Sequence, residues 1–75
     1  MAGLPVVKPR EAVAALVRAG YYVHHQKGSH VVLRSATDAT LRVVVPMHRT
    51  DLKPGTLRAI IRDAGMTVEA FVRLL

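Results

Sequence analysis

Tyr21-Tyr22-Val23-His24-His25-Gln26-Lys27-Gly28-Ser29-His30-Val31-Val32-Leu33-Arg34 decides the fold: two β-favouring runs stand on either side of a glycine turn. Tyr21 to Gln26 reads as a strand, Lys27-Gly28-Ser29 as the turn and His30 to Arg34 as the returning strand, so the segment is an antiparallel hairpin. Toward the C-terminus, Ser35 to Thr40 contains Asp38 and little apolar material and forms the next turn. Leu41 to Val45 then gives a third strand, halted by Pro46. Strand alternation sends Val31 and Leu33 to one face of this meander and His30, Val32 and Arg34 to the other, with the helices expected over the Val31 face.

Helices flank the meander on both sides. Lys8-Pro9 opens the first, because proline at the first helical position sacrifices no hydrogen bond, and Gly20 closes it. Val13, Leu16, Val17 and Gly20 follow helical spacing and are expected to be its buried stripe, with Arg10, Glu11 and Arg18 on the wet side. A second helix is expected from Pro54 to about Ala64, stopped by Gly65 and burying Leu57, Ile60, Ile61 and Ala64. Thr67 can cap a short terminal helix with Val68, Phe71, Val72 and Leu75 on one side and Met66 as a hydrophobic staple on Phe71. The order of helix, three antiparallel strands and helix, with a short C-terminal helix, is an α+β layout shared with double-stranded-RNA-binding domains.

Seventy-five residues make one domain, 1–75, because a chain this short buries only about 60 % of its unfolded surface and cannot divide that between two cores. With 51 % hydrophobic residues but a single Phe and no Trp, the core must be filled by Val, Leu, Ile and Ala. Cysteine is absent, which removes disulfides, thiolate metal sites and cysteine nucleophiles and points to the cytoplasm. The N-terminal MAGLPVVKPREAV has no signal-peptide pattern, and no apolar run reaches the roughly 20 residues of a membrane span, so no membrane partner is expected. A formal net charge of +6 and a pI near 10.9 make a polyanion, RNA or DNA, the first partner to consider, with an acidic protein as the other.

Gly28-Ser29-His30 is the segment with most chemical potential. A glycine turn lets backbone approach a phosphate, and a neutral imidazole can take the proton of a ribose 2′-OH, which makes RNA cleavage possible without a metal. The simpler reading, a histidine that begins a strand and hydrogen-bonds a neighbour, stands beside it. His48, in the loop before the second helix, can bring a second imidazole or a phosphate contact near a helix N-terminus, or be an exposed loop histidine. His24 and His25, consecutive on a strand, should face opposite sides and so not share a site. Lys27, Arg34, Arg49, Lys53 and Arg58 are the charges expected around the site as phosphate contacts. One of Tyr21 and Tyr22 should face the core, leaving the other free to stack on a base. There is no HExxH spacing and the five carboxylates form no cluster, so no metal site and no cofactor are expected.

Gly20-Tyr21-Tyr22, Gln26-Lys27-Gly28-Ser29-His30, Val45-Pro46-Met47-His48, Gly55-Thr56-Leu57-Arg58 and Ile60-Ile61 follow one another in the order and spacing of the HicA mRNA interferase toxins, which this chain resembles over nearly its whole length. The resemblance implies a double-stranded-RNA-binding-domain-like fold, cleavage of messenger RNA, and neutralisation by a HicB-type antitoxin in a type II toxin–antitoxin system. The chain is expected to be monomeric when free of antitoxin. The same resemblance makes His30 the catalytic residue, Gly28 the tight turn of the same motif with Ser29 as its neighbour, and His48 the histidine of the VPxH segment. The chain departs from the family pattern at His24-His25, where a basic, often arginine-containing, stretch tends to precede QKGSH. One imidazole does not obviously fill both proton-transfer roles, and a second histidine, a water or the phosphate itself remain open for the other. The alternatives from other classes are a non-catalytic RNA-binding module with the same basic surface, and an interaction protein whose positive face fits an acidic partner.

Overall fold

The structure, a computed structural model, describes residues 3–75, so the reading of the extreme N-terminus at Met1 and Ala2 lies outside it. The chain runs α1 (Pro9–Arg18), β1 (Tyr21–Lys27), β2 (His30–Ser35), β3 (Arg42–Pro46), α2 (Pro54–Asp63) and α3 (Val68–Val72). The strands form one antiparallel sheet in the order β1-β2-β3. Val31, Leu33, Val43 and Val45 pack on Ala12, Ala15 and Leu16 of α1, Leu57, Ile60 and Ile61 of α2, and Phe71 of α3. Helices thus cover the Val31 face, as alternation requires, and the architecture is that of a double-stranded-RNA-binding-domain-like α+β fold.

Local chemistry sets most element ends. Pro9 and Pro54 occupy the first turns of α1 and α2, and Glu11 Oε1 accepts the Lys8 N–H at 2.9 Å to hold the start of α1. Gly65, at φ +68°, ends α2 in a Schellman arrangement, with Met66 N–H donating to the Ile61 carbonyl and Gly65 N–H to that of Arg62. Thr67 Oγ1 caps α3 by accepting the Ala70 N–H at 3.1 Å. The hairpin turn has Gly28 at φ +58° and no positive φ at Ser29, the sign pattern of a type II′ turn. A Cβ at Gly28 would meet nothing within 4 Å, so its requirement is conformational only. Gly28→Ala is therefore expected to cost roughly 1–2 kcal/mol, read as a lower urea midpoint with an unchanged slope.

The buried stripe of α1 differs from the expected one. Pro9, Ala12, Ala15 and Leu16 are buried, Val13 is half-buried, and Val17 is 50 % exposed. Small alanines let the helix backbone approach the sheet, and the bulkier valines are turned aside. In the terminal helix Phe71 is fully buried and Val68 partly so, whereas Val72 and Leu75 are 39 % and 47 % exposed and Leu74 packs on the core in their place. Met66 packs against the same core as Phe71.

Tyr21 is the core-facing tyrosine, and its hydroxyl donates to the Ala64 carbonyl at 2.9 Å, joining the start of β1 to the end of α2. Burial, and then the Asp38 carboxylate, push its phenol above the ordinary range. Above about pH 10 the unfolded chain loses this proton while the folded chain keeps it, so stability falls as pH rises from there toward the folded-state value. Tyr21→Phe is expected to flatten that alkaline decline and to cost about 1–2 kcal/mol at neutral pH, where the Ala64 carbonyl loses its partner. Both are measurable by urea unfolding at several pH values.

Candidate active site

His30 is the first residue of β2, and the register places it directly across from Lys27 on β1 and Pro46 on β3. Directly opposed residues share a face, so Lys27 stands beside His30 on the side of the sheet away from the helices. The turn that precedes His30 is fastened twice: Gln26 Nε2 donates to the Gly28 carbonyl at 3.1 Å, and the Ser29 carbonyl accepts the Met47 N–H. The second bond carries the chain leaving β3 back to the hairpin mouth. The same loop is anchored at its far end, where Leu52 N–H donates to the Val7 carbonyl at 2.9 Å and both side chains are buried.

Between these anchors His48 is delivered to His30. The ring centroids lie 6.3 Å apart with planes at 78°, and both side chains are exposed. His48 lines two shallow clefts. One, of about 300 Å³, is lined by Lys8, Pro9, Arg10, Met47 and Arg49; the other by Pro46, Thr50, Asp51, Leu52, Lys53 and Thr56. The second cleft reaches the N-terminus of α2, where Lys53 is the cap residue with no side-chain cap bond and the first turn holds no acidic residue. Such an end presents unpaired N–H groups and a partial positive charge toward anions.

The expected site residues thus divide. Lys27, Gly28, Ser29, His30, His48, Arg49 and Lys53 gather at the hairpin mouth and the loop against it. Arg34 sits four residues along β2 from His30, roughly 13 Å by strand rise, paired with Tyr22 and Arg42. Its Nη1 contacts the Ala39 carbonyl at 3.5 Å, and its Nε is buried without a partner. Arg58 lines a separate groove with Arg62, Gly65 and Thr67, and it borders neither cleft at His48. Among the described residues, no group of three or more His, Cys, Asp or Glu side chains is placed to hold a metal.

His24 and His25 do not face opposite sides. The register slips between Val23 and His25, a β-bulge that sets two residues against one and so breaks the alternation. The two Nδ1 atoms are 2.7 Å apart, one ring donating to the other, and Tyr22 lies near His24 with centroids 6.3 Å apart. Tyr22 is 47 % exposed, the free tyrosine of the pair. On the same open face Val32 is shielded to 4 % exposure between its cross-strand neighbours His25 and Val44. No periodicity signals a bulge in a run as short as Tyr21–Lys27, so this cluster could not be anticipated.

The class so defined is a small basic α+β domain with two exposed imidazoles at the rim of its sheet. Its chain matches, over residues 9–66, the family model described as HicA toxin of bacterial toxin-antitoxin, and it belongs to that family. No curated protein matches it. Membership makes the chain the toxin side of a toxin–antitoxin system, with an antitoxin as partner. The matched residues span α1 through Met66, so α3 lies outside them. Among the described residues no helix is long and apolar enough to cross a membrane.

Proposed function

We propose that this chain is the toxin of a type II system and acts in the cytoplasm as a metal-independent endoribonuclease on messenger RNA, with His30 as its catalytic residue and a HicB-type antitoxin as its inhibitor. The observation that carries the reading is the position of His30: exposed at the hairpin mouth, beside Lys27, in the motif segment of a HicA-family chain. His30 in its neutral form takes the proton of a ribose 2′-OH. The 2′ oxygen attacks the adjacent phosphorus, forming a 2′,3′-cyclic phosphate as the bond to the 5′ oxygen breaks. No metal is needed, because the nucleophile belongs to the substrate and the surrounding cations stabilise charge at phosphorus.

Lys27, Arg49 and Lys53 supply that positive field, and the formal net charge of +6 draws RNA to it. An antitoxin that covers His30 stops the reaction without altering its chemistry. The test is incubation of the purified protein with mixed-sequence single-stranded RNAs in EDTA. Discrete fragments are expected. RNA binding with no fragments across varied substrates would replace this reading with a non-catalytic RNA-binding module, and weak, sequence-insensitive binding that salt abolishes would favour an acidic protein partner.

A further inference from the structure

We propose that His48 is the second proton-transfer group, the general acid that protonates the departing 5′ oxygen while His30 acts as base; this rests on the ribonuclease reading above. In-line displacement at phosphorus puts the attacking 2′ oxygen and the leaving 5′ oxygen on opposite sides of the phosphate, so one fixed imidazole does not reach both. Two imidazoles with centroids 6.3 Å apart can flank a single phosphate, each ring nitrogen about 2.8 Å from a different oxygen.

The spacing is built into the backbone. Met47 N–H bonds to the carbonyl of Ser29, so the residue next to His48 is tied to the residue next to His30, and the Leu52–Val7 bond holds the loop's other end. Lys27 faces the pair from β1, Lys8 and Arg10 from the start of α1, and Arg49, Asp51 and Lys53 from the loop and the cap of α2. Five cations against one carboxylate suit an anion lying against the two ring edges. The reaction balances: the 2′-OH proton passes to His30, the P–O2′ bond forms, the P–O5′ bond breaks, and a proton from protonated His48 goes to the 5′ oxygen.

A sulfur leaving group separates acid catalysis from every other role, because a thiolate departs without protonation. After mapping the cleavage site on ordinary RNA, an oligonucleotide with sulfur in place of the bridging 5′ oxygen at that site is compared with its oxygen parent. The proteins are wild type, His48→Ala, His48→Gln and His30→Ala. Both His48 variants are expected to cleave the oxygen substrate about 10²- to 10⁴-fold more slowly and the sulfur substrate near the wild-type rate, while His30→Ala stays slow on both. Their pH–rate profiles on oxygen substrate should lose the alkaline descent that deprotonation of the acid produces.

His48 variants at wild-type rate on oxygen substrate would overturn the proposal. So would variants equally slow on both substrates, which would make His48 a positioning residue. If wild type cleaves neither substrate, the ribonuclease reading falls first and the proposal with it. Because His48 is exposed in a loop, the variants should keep the wild-type unfolding midpoint, which a thermal melt checks.

Discussion

Replacing His30 with alanine is expected to lower single-turnover RNA cleavage by about 10²- to 10⁴-fold while RNA affinity and the unfolding midpoint stay near wild type. The separation follows from where the side chain stands. His30 is exposed at the end of β2, so its removal opens no cavity, and the strand pairing to Lys27 and Pro46 is made by backbone that alanine retains. Affinity for RNA rests on the cations around it, and His30→Ala leaves every one of them in place. His30→Gln, which keeps hydrogen-bonding capacity but cannot accept and release a proton near neutral pH, should be as inactive as alanine. Activity retained in either variant would remove His30 from the chemistry, and affinity lost in parallel with activity would make it a binding residue instead.

The second large effect is structural. Phe71→Ala is expected to destabilise the fold by about 3–5 kcal/mol, a substantial share of the roughly 5–15 kcal/mol typical of domains, and to be visible as a large fall in both thermal and urea midpoints. Phe71 is the only phenylalanine of the chain and leads its largest fully buried side chains, at 0 % exposure. It projects from a helix of only five residues, which cannot be stable by itself and is held by this packing and by the Thr67 cap. The consequence reaches past α3: although that helix lies outside the residues matched to the family, its phenylalanine completes the core shared by α1, α2 and the sheet. A change below about 1 kcal/mol would show that α3 is an appendage that the core does not need.

What the sequence made legible was mostly local. Gly28 between two β-favouring runs, proline at helix starts, the Gly65 stop and the Thr67 cap each act through a few bonds, and each stands where it was expected. The α2 stripe of Leu57, Ile60, Ile61 and Ala64 was readable because its apolar residues recur with one period against charged neighbours. On α1 helical spacing pointed to Val13, Leu16, Val17 and Gly20, a stripe one step round the helix from the buried one. Close packing on the sheet selected Ala12 and Ala15 instead.

The candidate site was half legible. His30 and His48 could be picked out singly, but their approach to 6.3 Å depends on the Met47–Ser29 backbone bond, which no spacing in the chain encodes. Arg34 and Arg58 carry the right charge but lie away from the hairpin mouth, because strand rise and helix packing distribute them elsewhere. The His24–His25 contact required a bulge that strict alternation forbids.

The most direct measurement is mass spectrometry of the 3′ ends of fragments that wild-type protein releases from a defined single-stranded RNA in EDTA. The account predicts 2′,3′-cyclic phosphate ends paired with 5′-hydroxyl ends, and no cleavage when the nucleotide at the scissile bond is 2′-deoxy. Fragments with 3′-hydroxyl and 5′-phosphate ends, or cleavage that survives the 2′-deoxy substitution, would show that water and not the ribose attacks, contradicting the role given to His30.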